Sequence, residues 1–66
     1  MITFPDVPHA IAYCEDNAVY PSSVPEFEAN SAYINVCDED GQSEQIFYFP
    51  DAHVAVELYE HYNPWY

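Results

Sequence analysis

Two stretches of the chain place an apolar residue every three or four positions, and a third, AYINVC, alternates between two sets of side chains. At 100° per residue Val7, Ala10, Ile11 and Cys14 gather on one side of a helix, with His9, Glu15 and Asp16 turned away from it. In the second helical stretch Ala52, Ala55, Val56, Tyr59 and Tyr62 form the stripe, widened by Val54 and Leu58. His53, Glu57, Glu60 and His61 occupy its other side. The two helical stretches open alike, as FPDVPHAIAY from Phe4 and FPDAHVAVEL from Phe49. Asp6 and Asp51 are the expected N-caps, because a carboxylate there accepts the first free amide hydrogens and faces the positive helix end.

Between the helices, AYINVC sets Ala32, Ile34 and Val36 against Tyr33, Asn35 and Cys37, the period of a half-buried strand. EQIFYF, from Glu44 to Phe49, reads as a second strand. Asp38 to Ser43, with the single glycine Gly41, is the expected hairpin loop. A further short strand around Val24 to Ala29 is restricted to an edge by Pro25. The pattern predicts one α+β domain over residues 1–66: helix, two or three antiparallel strands, helix, with both helices on one sheet face. The other face is left for tyrosines and acids.

Charge changes the picture. Lys plus Arg is 0 and Asp plus Glu is 12, so the net charge is −12 over 66 residues. At ordinary composition such a complete lack of cations arises by chance about once in several thousand chains of this length. Like charges on a small body repel, and only three histidines are available to offset them. Acidic chains poor in aromatics stay disordered, but here aromatics make 18% of the residues, and Leu, Ile, Val and Phe together exceed the ~20% level that marks disorder. A chain this short buries only about 60% of its unfolded surface, so a thin, aromatic-rich core is expected, in a monomer or a homodimer.

No apolar run reaches the ~18 residues of a membrane span, and the first residues lack the features of a signal peptide; the cytoplasm is the expected compartment. Cys14 and Cys37 are then reduced thiols by default, with Cys14 in the core.

Conventional chemistry fits poorly. DEDG resembles the start of a calcium loop, but the known signature needs acids at alternate positions, glycine at the sixth and glutamate at the twelfth, whereas Gly41 is fourth and Glu44 seventh. His53, Glu57 and His61 drift around the helix axis and match no zinc pattern. His9 and Cys14 point to different sides of their helix, and Glu57 and Glu60 sit on a convex face, so no catalytic pair is formed. Fixed cations for oxyanions or phosphates are missing altogether. No enzyme activity, cofactor or metal is expected. Direct nucleic-acid binding is excluded more firmly, because duplex affinity rests on cations that neutralise phosphates.

The inverse arrangement survives. DNA carries one negative charge per ~1.7 Å of axis, and carboxylates one helical turn or one alternate strand position apart lie roughly 5–7 Å from each other, comparable with neighbouring phosphates. In its size, its twelve acids without a base and its clusters EFE (Glu26 to Glu28), DEDGQSE (Asp38 to Glu44) and ELYEHY (Glu57 to Tyr62), the chain resembles the small acidic DNA-mimic inhibitors of phages and mobile elements. These block restriction enzymes, repair glycosylases or CRISPR complexes. The narrower resemblance is to an anti-CRISPR protein acting on a type I surveillance complex (Cascade), type I-C in its narrowest form, in the cytoplasm of a bacterial host. The resemblance implies occupation of the basic site that receives target DNA. Asp38, Glu39, Asp40 and Glu44 then imitate one run of phosphates, Glu57 and Glu60 with Glu26 and Glu28 supply others, and Tyr62 and Trp65 are candidate apolar anchors, as are Tyr33, Tyr48 and Tyr66. The alternative is an antitoxin, immunity or regulatory protein that neutralises one basic partner at a site that does not bind nucleic acid. A third reading is an acid-adapted domain whose charge only keeps it soluble.

Overall fold

Each Phe-Pro-Asp stretch forms a strand-to-helix turn in the computed structural model, which describes residues 2–64. The first strand, β1 (Ile2–Thr3), leads through Phe4 and Pro5 to helix α1 (Val7–Asn17). Asp6 caps it from extended backbone, its carboxylate accepting the His9 N–H at 3.0 Å. Pro8 lies in the first turn, where its missing N–H removes no helical bond. Two short strands follow, β2 (Tyr20–Pro21) and β3 (Glu26–Phe27), then the hairpin of β4 (Ala32–Cys37) and β5 (Glu44–Phe49). Helix α2 (Ala52–Tyr62) starts at Asp51, whose carboxylate accepts the His53 N–H at 2.8 Å.

The hairpin pairs Ala32 with Phe49 at one end and Cys37 with Glu44 at the other. On the outer edge of β5 lies β1, in parallel, with Ile2 beside Phe47 and Thr3 beside Tyr48. The outer edge of β4 is shared: β2 covers its hairpin end, Tyr20 beside Cys37, and β3 covers its other end, Glu26 beside Tyr33. The sheet therefore has five strands and is mixed, where two or three antiparallel strands are predicted. Strands of two residues are too short to show alternation, and the parallel pairing of β1 depends on a partner most of the chain away. The edge strand expected near Val24–Ala29 is present as β3, with Pro25 just before its first paired residue, as an edge strand allows.

Both helices pack on one sheet face, as predicted. Ala32, Ile34 and Val36 of β4 and Phe47 and Phe49 of β5 meet Ala10 and Cys14 of α1 and Ala55 and Leu58 of α2, with Phe4 and Val19 closing the sides. Phe4 and Tyr13 set ring edges against Phe47 at 4.7 and 5.4 Å, contacts worth about 0.5–1.5 kcal/mol each beyond the area they bury. The stripe of α2 is rotated from the predicted one. Leu58, placed at its margin by the pattern, is fully buried beside Ala55, while Val56 is only half-buried. The largest aliphatic side chain of the helix takes the centre of the sheet contact, and the small Ala55 lets the backbone approach.

Because β1 and β5 are parallel and each is followed by a helix that turns back, α1 and α2 lie side by side in the same direction. Phe4 and Phe49 stack near their starts, with ring centroids 6.2 Å apart, and the Tyr62 hydroxyl donates to Glu15 Oε2 at 2.9 Å near their ends. Eleven helical residues span about 16 Å, close to the ~20 Å of a six-residue strand, so both helices finish beside the hairpin loop. The Tyr13 hydroxyl donates to Gln45 Oε1 at 2.8 Å, which fixes α1 at that end.

Helix α1 stops at Ala18, whose φ of 53° and ψ of 44° place it in the left-handed region, with its N–H and that of Val19 both donating to the Cys14 carbonyl. An alanine there carries a steric cost that glycine avoids. Ala18→Gly is expected to add about 0.5–1 kcal/mol of stability, after the larger unfolded-state entropy of glycine is subtracted. In thermal unfolding this corresponds to a rise of roughly 3–6 °C, and a fall would contradict the conformation assigned to Ala18.

Candidate functional site

The common direction of the helices creates a charged pole that no single stretch of sequence announces. Both helix C-termini, each equivalent to about half a negative charge, end beside the hairpin loop. Glu15 and Asp16 occupy the last turn of α1 and Glu60 that of α2. The loop adds Asp38, Glu39 and Asp40, and Glu44 opens β5 next to Cys37. Seven carboxylates thus converge on one end of a body 32 × 27 × 19 Å in extent. Acids at a helix C-terminus oppose the helix dipole, so Glu15 and Asp16 do nothing for α1 itself. At the opposite end Asp6 and Asp51 neutralise the positive helix starts through their caps.

The loop geometry separates two kinds of acid. Gly41, at φ 71°, takes a conformation that other residues resist, and its N–H donates to the Asp38 carbonyl at 3.1 Å to close a tight turn. The Asp38 carboxylate accepts the Gln42 N–H at 2.8 Å, and this bond, reinforced by neighbouring loop amides, holds it below the usual carboxylate range. Asp38 therefore builds the turn. Glu39, Asp40 and Glu44 are exposed on it.

The predicted site residues divide accordingly. Asp38, Glu39, Asp40, Glu44 and Glu60 come together at the pole, joined by Glu15 and Asp16, which periodicity alone places only on the polar side of a helix. Glu26 and Glu28 are exposed at the far end of β4, opposite the start of the hairpin, and Glu57 lies midway along α2 on its outer side. Tyr62 is half-buried, as its place in the apolar stripe of the helix predicts: it bonds Glu15 and sets its ring against Tyr20 at 5.2 Å, and so ties the helix ends together. Burial, then the Glu15 contact, pushes its hydroxyl well above the usual tyrosine range. Trp65 and Tyr66 lie outside the described residues.

The histidines carry small local roles. His9 Nδ1 lies 2.6 Å from Asp6 Oδ1, and that bond, with the capping bond from the His9 N–H, lowers the Asp6 carboxyl below its ordinary range. His53 Nε2 is 3.4 Å from Glu57 Oε1 on an exposed helix face, a pairing of little energetic weight. Among the described residues no group of three or more His, Cys, Asp or Glu side chains is placed to hold a metal ion, and no enclosed pocket is formed.

The two thiols are free and sit on opposite sides of the sheet, Cys14 in the core and Cys37 half-buried on the other face. Burial, with the Glu15 charge as a second cause, pushes the Cys14 thiol up from 9.0 to about 11. Its contribution to stability is complete below pH 9 and is lost as the pH rises from there to about 11, because the unfolded thiol ionises first. A disulfide-exchange reagent at neutral pH is accordingly expected to titrate Cys37 in the native protein and Cys14 only after denaturant is added. Rapid release of two equivalents without denaturant would show that the helix-to-sheet contact opens.

No helix among the described residues is long and apolar enough to cross a membrane. Comparison with protein-family models, with curated proteins and with solved structures finds no match to this chain.

Proposed function

We propose that this protein is a DNA-mimic inhibitor, which occupies the basic nucleic-acid-binding site of a host defence complex and excludes target DNA from it. The observation that carries this reading is a folded body bearing twelve carboxylates and no Lys or Arg, with seven of those acids and two helix C-termini gathered at one end. All the acids are exposed except Asp6 and Asp38, which are half-buried; apart from the caps at Asp6 and Asp51, the turn at Asp38 and the Tyr62 bond to Glu15, the carboxylates are left to face a partner.

The magnitude is suitable. Over a length of 32 Å a DNA duplex carries about 19 negative charges and a single strand about 9, and this chain carries 12. A basic channel that accepts either form of DNA meets a comparable charge density here, at fixed positions. Long-range attraction then steers association, and affinity falls as salt rises. A soluble domain gains little from a complete lack of cations, since a modest net charge already prevents association, and that weighs against charge as a solubility device alone. The favoured target is a type I CRISPR surveillance complex, type I-C in its narrowest form, at the site that reads DNA next to the protospacer.

The test is capture of partners on the tagged protein from a lysate containing CRISPR complexes, followed by elution with a short DNA duplex. Release of a nucleic-acid-binding complex by the duplex is the expected result. Retention of a basic protein that DNA does not displace would replace the proposal with an immunity or antitoxin role, and capture of nothing would leave only the acid-adapted reading.

A further inference from the structure

The sheet face turned away from the helices has its own composition. Residues paired directly across strands share a face, so Thr3, Tyr48, Tyr33 and Glu26 form one row across it, with Ile46 beside Asn35 in the next and Glu44 beside Cys37 in the last. None of the described helices covers this surface, since both lie on the opposite face. Its centre is the ring pair of Tyr33 and Tyr48, with centroids 5.6 Å apart at 38°, and Ile46 is 37% exposed nearby. An acid stands at each end: Glu26 directly beside Tyr33, and Glu44 two rows away at the edge of the acidic pole.

We infer that this open face docks an arginine-bearing segment of the basic partner, with a guanidinium stacked on the Tyr33–Tyr48 pair and hydrogen-bonded to Glu26, while Glu44 holds a second cation toward the pole. The inference rests on the DNA-mimic reading for its partner and adds where that partner sits and which side chain it uses. A second copy of this chain is a poor occupant, because it would bring another twelve acids to a face already flanked by Glu26 and Glu44. No Lys or Arg can come from within the chain. Strands about 4.8 Å apart place Glu26, Tyr33 and Tyr48 within roughly 10 Å, a span that one planar guanidinium bridges by stacking on the rings and donating from its edge. A lysine ammonium lacks the plane and the fork, so the face should distinguish the two cations.

Nona-arginine and nona-lysine are the probes, titrated into the ¹⁵N-labelled protein at about 150 mM salt. Nona-arginine is expected to bind about three- to fivefold more tightly than nona-lysine, with the largest amide shifts at Glu26, Tyr33, Asn35, Ile46 and Tyr48. The double variant Tyr33→Leu, Tyr48→Leu should reduce that preference to near one. Should it lose its native circular dichroism, Glu26→Gln with Glu44→Gln carries the test: this pair should weaken nona-arginine about three- to tenfold, and Glu57→Gln with Glu60→Gln should not. Shifts centred on the hairpin tip or on α2, equal affinity for the two peptides, or equal loss in both glutamine pairs would overturn the inference. The same variants in the capture experiment separate the two claims. A partner that DNA displaces, bound equally well by the tyrosine or glutamine variants, sinks the docking face and leaves mimicry standing; a partner that needs this face but ignores DNA does the reverse.

Discussion

The double variant Glu39→Lys, Asp40→Lys is expected to bind the captured partner about 30- to 100-fold more weakly at physiological ionic strength, a loss of roughly 2–3 kcal/mol. Glu28→Lys with Glu57→Lys, which changes the net charge by the same amount, is expected to lose less than about fivefold. The contrast isolates placement from total charge. Glu39 and Asp40 are exposed at the pole, whereas Glu28 and Glu57 lie at the far end of β4 and midway along α2. Neither substitution disturbs the turn, which depends on the Asp38 carboxylate and the backbone of Gly41. Asp38 is left alone for that reason. Binding isotherms at several salt concentrations would measure both variants. Equal losses would mean that the partner responds only to net charge, and an unaffected Glu39/Asp40 variant would remove the pole from the interface.

Truncation of Phe47 is expected to unfold the domain. Its ring is fully buried and meets the rings of both Phe4 and Tyr13, so Phe47→Ala forfeits burial, two edge contacts and a well-packed volume at once, about 3–5 kcal/mol. A chain of 66 residues has roughly 3–10 kcal/mol in total, and mutual repulsion of twelve acids draws this one toward the lower figure. Circular dichroism at 25 °C should therefore show most of the Phe47→Ala protein unfolded in low salt, with partial recovery as added salt screens the acids. Phe47→Leu, which keeps most of the volume, should remain folded with a lower urea midpoint. A fully native, cooperative Phe47→Ala protein would show that the core is not organised around this side chain.

Much of the architecture was readable because the long elements carry strong periods. Six alternating residues define β4, the apolar pairs at Phe47 and Phe49 define the inner face of β5, and Asp6 and Asp51 announce the helix starts by the chemistry of capping. The short strands were not readable, since Ile2–Thr3 and Tyr20–Pro21 have no room for a pattern and owe their state to neighbours distant in sequence. The parallel placement of β1 had the largest consequence. It turns both helices the same way, and only then do Glu15, Asp16 and Glu60 join the hairpin acids. Periodicity assigns Glu15 and Asp16 to a polar helix face but says nothing of what lies beside that helix. Tyr62 illustrates the converse: periodicity places it in the apolar stripe of its helix, but its hydrogen bond to Glu15 on the other helix depends on how the two helices pack. The absence of cations, by contrast, needs no structure to be seen; what the structure adds is how unevenly the acids are spread.

The pairing of Ile2 and Thr3 with Phe47 and Tyr48 also bears on the order in which the chain assembles. The β4–β5 hairpin closes over a six-residue loop and can form early, whereas β1 must find a partner across most of the chain, an encounter that is slow because of the entropy of closing so long a loop. During synthesis Phe4 stays exposed until Phe49 has left the ribosome, and α1 has no sheet to pack on before then. The strong mutual repulsion of the acids keeps such half-made chains apart from one another during that interval, so the charge proposed to meet a partner also protects the nascent protein from aggregation.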